Sequence, residues 1–354
     1  MEKIYNIGFL RIIFTIIVIV FHALLHANTL YGVYPDLYAH AHAATARGYV
    51  AVEMFFIIAG FFLFFSAKKN IDFKEFALNK FVRLWCVPAF AIFCIWILSL
   101  FHWTPYHKYA NILHLFLLKN TGMTLCLADN GSAWFISVLF WVSLFYFYLI
   151  KNFERKYVNL TIALITFFSF VLLVNGNAGH FNQHYKMLNN FFNVGMLRGL
   201  AEMGIGYFIA LFYENYKPAV ESKITFVLVS ALEIYLFGFI INNLLFRNIK
   251  FANDMIFVIF MSALFILFLL RKGILSKLTD NKLFYKLGTY TFSMYVMQEV
   301  VFRILFKNYC QCSSFITAYP MLALVLYIAI TCLFGIATYY IVEKPAIALF
   351  KKNL

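Results

Sequence analysis

The sequence predicts an all-α protein that crosses a membrane about ten times, and three observations carry that expectation. Of 354 residues, 64% are hydrophobic and only 12% charged, against about 25% charged in a soluble domain. The apolar residues fall into runs of roughly 20, the length a helix needs to cross a bilayer core. The basic residues concentrate in alternate loops, which is an orientation signal. Lipid offers the backbone no hydrogen-bond partner, so such runs are helices that satisfy their own N–H and C=O groups.

Ten runs qualify, over about residues 6–26, 48–66, 84–103, 132–150, 158–175, 191–213, 223–246, 251–270, 288–307 and 318–342. They leave no stretch for a second domain, so residues 1–354 read as one transmembrane domain. No small-residue cleavage site follows the first run, which is expected to stay in the mature protein. With the N-terminus inside, the inner segments hold 19 Lys and Arg and the outer loops 7, while Arg11, Arg198 and Arg303 lie within spans. That asymmetry places both termini in the cytoplasm. It also absorbs the net charge of +14, so nucleic acid is not expected as a partner. The 45 Phe and 23 Tyr suit lipid-facing and interfacial positions. Six cysteines show no CxxC and no metal-ligand spacing, and His102, His107 and His114 match no metal motif; no metal is expected. Cys126, Cys310 and Cys312 fall on the outer side, where a disulfide is conceivable but not favoured.

The first span carries RIIFTIIVIVFH, from Arg11 near its inner end to His22 about one turn from its outer end. Eleven helical steps return to within roughly 20° of the starting face and cover about 16 Å. Ionisable groups inside a membrane usually face a cavity or a partner. Two on one stripe therefore suggest an elongated site with a charged end and a titratable end. The other reading is that Arg11 snorkels to the headgroups and His22 is an ordinary core histidine.

The second span runs back inward and carries Glu53 at the depth of His22. A carboxylate beside an imidazole fixes its tautomer and orientation, so Glu53 is expected to orient His22; the alternative is a contact that only locks two helices. The segment 67–83 ends in Lys80 and Arg83, three apart and neighbours on a helix. A short amphipathic piece there would present a phosphate-binding pair at the inner rim, or simply anchor the chain. The fourth span opens SAWFISVLFW, with Trp134 at the outer interface and Ser137 on the same face. Arg198 with Glu202, and Glu299 with Arg303, stand at i and i+4 and read as members of intrahelical or interhelical ion pairs before catalytic groups, although Arg198 could meet a polar acceptor. The chain closes on YYIVEKP, where Pro345 is expected to stop the last helix.

Together these residues resemble the acyltransferase family three of integral-membrane acyltransferases, over nearly the whole chain from Arg11 to Pro345. The matching pieces are the Arg-x10-His of the first span and GYVAVEMFFIIAGF, similar to the family's Gly-Val-x-x-Phe-Phe-x-x-Ser-Gly-Phe run. NKFVRL resembles its basic Arg-x-x-Arg element, SAWFISVLFW its Trp-x-x-Ser element, LGTYTFSMYVMQ its penultimate-helix signature and YYIVEKP its terminal Val-Glu-x-Pro. Four positions depart from the pattern: Ala59 for Ser, Lys80 for Arg, a later Pro88, and Gln298 where His is frequent.

The resemblance implies a bacterial inner-membrane O-acyltransferase. It would move acetyl, or another short acyl group, from cytoplasmic acyl-CoA to a hydroxyl of a surface polysaccharide, such as a lipopolysaccharide, or of its lipid-linked precursor. It also implies that Arg11, His22 and the basic element matter. On that footing acyl-CoA is a co-substrate and no cofactor is permanently bound. Arg11, Lys80 and Arg83 would hold the donor phosphates, the pantetheine arm would follow the stripe, and His22 oriented by Glu53 would act as general base. Trp134, Ser137 and Arg198 are the candidates for binding the acceptor glycan. No Gly-x-Ser-x-Gly is present, which favours direct transfer. No soluble extension follows the last span, so transfer is expected to finish within the membrane domain. A flippase for lipid-linked sugars would also suit ten spans with buried charges, but no half-to-half repeat is visible. A glycan polymerase using outer-loop arginines would have only Arg47 and Arg247 to work with.

Overall fold

The structure, a computed structural model, describes residues 3–31, 47–101, 107–119, 121, 131–177, 179–216, 222–246, 254–306 and 318–352. Cys126, Cys310, Cys312 and His102 lie outside them. The described chain is helical apart from one two-stranded hairpin. Eight helical segments are long and apolar enough to cross a membrane, and the chain is a multi-pass membrane protein.

Helix α1 spans Ile7–Tyr31. A 3-10 turn, Gly48–Ala51, feeds α2, Val52–Ala67, with Glu53 in its first turn, where a carboxylate meets the positive end of the helix dipole. Helix α3 runs Phe73–Leu100 without a break. Lys80 and Arg83 therefore belong to the third spanning helix and not to a separate amphipathic piece. The early start has a local cause: Asp72 caps the helix, its carboxylate accepting from the Glu75 N–H at 2.6 Å, an arrangement typical of helix N-termini. A short α4, Lys108–Leu115, follows, then α5, Trp134–Asn152, and α6, Arg155–Gly176. The hairpin pairs Met187–Leu188 with Phe192–Asn193. Asn189 and Asn190 both take positive φ, near 50° and 57°, and Phe191 N–H donates to the Leu188 carbonyl at 3.1 Å. This is the type I′ geometry that Asn tolerates best after Gly. Helix α7, Val194–Asn215, starts on an Asn193 cap.

The remaining helices are α8, Lys223–Leu245; α9, Met255–Leu270; a single turn and a half, α10, Ile274–Thr279; α11, Lys282–Phe306; α12, Pro320–Thr338; and α13, Lys344–Lys352. Two of the ten expected spans look unlike the rest. Helix α9 has only 16 residues. Helix α11 is long enough but carries Thr291, Ser293, Gln298, Glu299 and Arg303, all buried. It packs against α1, α3 and α12, and a helix shielded from lipid by its neighbours can keep polar residues that a lipid-facing one cannot. Helix α8 shows the opposite pattern, leaving Ile224, Val227, Leu228 and Leu232 exposed. Pro345 does not end the last helix. The chain passes through a π-helical turn, Tyr339–Glu343, and continues without a break as α13 with Pro345 inside it, the π turn standing just before the proline that removes an i→i−4 bond.

The most extensive helix pairings are α2 with α7 and α1 with α11. Glycine permits both. A Cβ on Gly60 would run into the Met203 carbonyl, and one on Gly206 into the Ile57 carbonyl. Gly8 and Gly288 meet in the same way at the α1–α11 crossing. Small residues that let backbones touch are the usual membrane helix contact. Gly206→Val forces α2 and α7 apart and is expected to cost about 1–3 kcal/mol, as overpacking does. A lowered unfolding temperature in detergent is the readout, and an unchanged one would mean the two helices do not touch at Gly206.

Candidate active site

The stripe on α1 has two ends, and each draws residues from several helices. At one end Arg11 is half-buried, its guanidinium 5.6 Å from the centre of the Phe62 ring. Lys80 and Arg83 of α3 lie close enough for their charges to act on Arg11 and on each other. None of the three makes an ion pair with a carboxylate among the described residues. The nearest anion is Glu343 of the π-helical turn, which acts on Arg83 but accepts a hydrogen bond from Ser293 Oγ at 2.6 Å. Three cations with one neighbouring carboxylate leave a local excess of positive charge, which suits a polyanion. Arg83 is exposed and Lys80 half-buried, so the cluster opens outward.

At the other end His22 is half-buried, and its Nδ1 lies 3.4 Å from Oε1 of Gln298 on α11. The Gln298 amide N–H donates to the Tyr295 carbonyl at 2.9 Å, so Oε1 is the group turned toward the imidazole. With a proton on Nδ1 this contact is a hydrogen bond to Oε1, and Nε2 is then the basic nitrogen. Orientation of His22 was expected from Glu53, and the structure gives it to Gln298.

Glu53 is buried and bonded elsewhere. Arg198 Nη2 meets its Oε1 at 2.5 Å and Nε its Oε2 at 3.4 Å. Arg198, 1% exposed, also donates to the Phe181 carbonyl at 2.8 Å and the Tyr49 carbonyl at 3.2 Å. The pair thus ties α2 to α7 and to the segment before the hairpin. Of the two ion-pair readings of Arg198, within α7 or across helices, the structure shows the one across helices. The Glu202 carboxylate adjoins Glu53 and finds no hydrogen-bond donor among the described residues. Glu299 and Arg303 do pair along α11, at 3.0 Å.

The three acceptor candidates are all buried. Trp134 carries the Arg198 guanidinium 4.9 Å from its ring centre, and Ser137 is fully enclosed, its Oγ without a partner among the described residues. Their surroundings are protein, and Trp134 and Arg198 are held in one network with Glu53. Asp254 completes the network. It accepts from Tyr49 Oη at 2.6 Å, Phe181 N–H at 2.8 Å and Arg47 at 3.2 Å.

A protein-family model described as an acyltransferase domain matches residues 4–340, essentially the whole chain. The chain belongs to this acyltransferase family. No curated protein and no solved structure shows significant similarity to it. It is therefore a membrane acyltransferase acting on groups other than aminoacyl groups. In such an acyltransferase an imidazole whose Nε2 is the basic nitrogen can take the proton of an attacking hydroxyl. Of two neighbours of that imidazole, Gln298 is marked in the sequence as standing where the family often has His, although its contact with His22 is not legible there, and His184 escapes sequence reasoning. His184 precedes the hairpin, stacks on Trp134 with ring centres 4.6 Å apart and planes 9° apart, and lies within charge-interaction range of His22. The Asn189–Asn190 pair between apolar residues is a hairpin signal that would have drawn attention to the segment.

Proposed function

We propose that this acyltransferase takes an acyl group, acetyl or another short one, from cytoplasmic acyl-CoA. It transfers the group to a hydroxyl of a surface polysaccharide or its lipid-linked precursor in a bacterial inner membrane. The observation that carries the reading is the unpaired cluster of Arg11, Lys80 and Arg83 at one end of a helix whose same face bears His22 eleven residues on. Phosphates of the donor match the cluster. An extended thiol arm matches the ~16 Å between Arg11 and His22 along the helix. Orientation rests on the basic loops, which put the Arg11 end inside. His22 Nε2 then removes the acceptor hydroxyl's proton while the oxygen attacks the thioester carbonyl carbon, and the departing thiolate takes the proton back.

Mass spectrometry of surface polysaccharide from cells with and without the gene tests this directly. A mass difference names the acyl group, and identical glycans would remove the acceptor class. For the donor end, a phosphate contact acts in ground and transition states alike. Arg83→Ala is therefore expected to raise the KM for acyl-CoA by about 10-fold or more, the effect of losing one charged hydrogen bond, with a smaller fall in kcat. Arg83→Lys keeps the charge without the fork geometry and should retain part of the affinity. An unchanged KM in Arg83→Ala would remove that residue from the donor site.

A further inference from the structure

Attack on a thioester puts negative charge on the carbonyl oxygen, and a donor aimed at that oxygen is commonly worth about 10²–10³ in rate. The reading above, on which this inference rests, supplies a base but no such donor. The Gln298 amide donates to Tyr295, and Arg198 is occupied by Glu53, Phe181 and Tyr49.

His184 is different. Its ring makes no hydrogen bond with any described residue, and its nitrogens are not among the fully enclosed polar atoms. The side chain is half-buried and held flat on Trp134. Its own carbonyl accepts from Gly195 N–H at 3.1 Å, which fixes the backbone at the start of α7. Burial, with Lys119 and Arg198 as positive neighbours, holds the imidazole well below the usual histidine range. It stays neutral at physiological pH, with one N–H to donate.

We propose that His184 is a second catalytic residue of acyl transfer, donating its ring N–H to the thioester carbonyl oxygen as that oxygen becomes an oxyanion. The acceptor O–H gives its proton to His22 Nε2, and its oxygen bonds to the carbonyl carbon. The carbonyl π pair moves onto the oxygen facing His184. Collapse restores the C=O, breaks the C–S bond and sends the proton from His22 to the thiolate.

The test uses purified full-length protein in proteoliposomes, supplied with acetyl-CoA and the glycan fraction from cells lacking the gene. Released thiol is read per folded protein, counted by size exclusion. His184→Phe keeps an aromatic ring on Trp134 but has no N–H. His184→Gln keeps a donor without the ring. Phe is expected to lower kcat by about 10²–10³-fold at near-parental KM for acetyl-CoA, with Gln recovering part of the loss. A merely structural role gives the reverse, Phe active and Gln impaired, and overturns the proposal. So does a folded Phe variant at the parental rate while the parent turns over. If the parent itself releases no thiol, it is the acyl-CoA reading that falls, and the role of His184 falls with it.

Discussion

His22→Ala is expected to reduce acyl transfer by at least about 10²–10⁴-fold, the usual contribution of general base catalysis, with the loss on kcat. The side chain is half-buried on α1, and the packing of that helix rests on its apolar face: Leu10, Phe14, Ile17 and Val18 in one core cluster, Ile19 and Leu24 in another. Removing the imidazole therefore leaves a folded, inserted protein that has lost its base. Gln298→Leu tests the same assignment from the other side. Without Oε1 the Nδ1 proton loses its acceptor, the tautomer is no longer set, and kcat should fall by less than in His22→Ala. Comparing kcat with the thermal stability of each variant checks both. A folded His22→Ala protein transferring at the parental rate would end the role of His22 as base.

The second large effect is on stability. Arg198→Met removes the cation between two adjoining carboxylates, Glu53 and Glu202, in a place closed to water. Breaking a buried pair by deleting one partner costs about 3–5 kcal/mol. A marked drop in unfolding temperature and in membrane level is expected. Replacing Glu53 and Glu202 by Gln in the same protein should restore much of it, because no uncompensated charge then remains. If Glu53 instead served His22, Glu53→Gln would lower kcat at unchanged stability. A stable Arg198→Met protein would contradict the clamp.

These two residues show what a sequence can and cannot convey about such a site. The Arg11–His22 stripe was legible because both residues sit on one helix, whose period fixes their relation without knowledge of any neighbour. The meeting of Arg11 with Lys80 and Arg83 was legible because the basic loops set which helix ends share a side. Relative depth was equally readable: Glu53 does lie level with the His22 end of α1, where Phe21 packs on Tyr49 just before α2. The angle between helices was not. At one depth Glu53 could turn toward His22 or toward Arg198, and Gln298 competes for the same imidazole. The Gly60–Gly206 contact between α2 and α7 decides it, bringing Glu53 against Arg198. The same contact selects the interhelical ion pair of Arg198 over one along α7 with Glu202. The shielding of the polar residues of α11 by α1, α3 and α12 is likewise a property of the assembled bundle and not of the span's own sequence.

The division of labour along α1 is tested most directly by measuring acetyl-CoA binding to three purified proteins by titration calorimetry: the parent, His22→Ala and the Lys80→Ala/Arg83→Ala double variant. His22→Ala is expected to bind acetyl-CoA with the parental Kd while releasing no thiol in the presence of acceptor. The double variant should bind at least about 10-fold more weakly, one charged contact being worth that much. Equal Kd values for the parent and the double variant, or acyl transfer by a folded His22→Ala protein, would contradict a donor site at one end of the stripe and a base at the other.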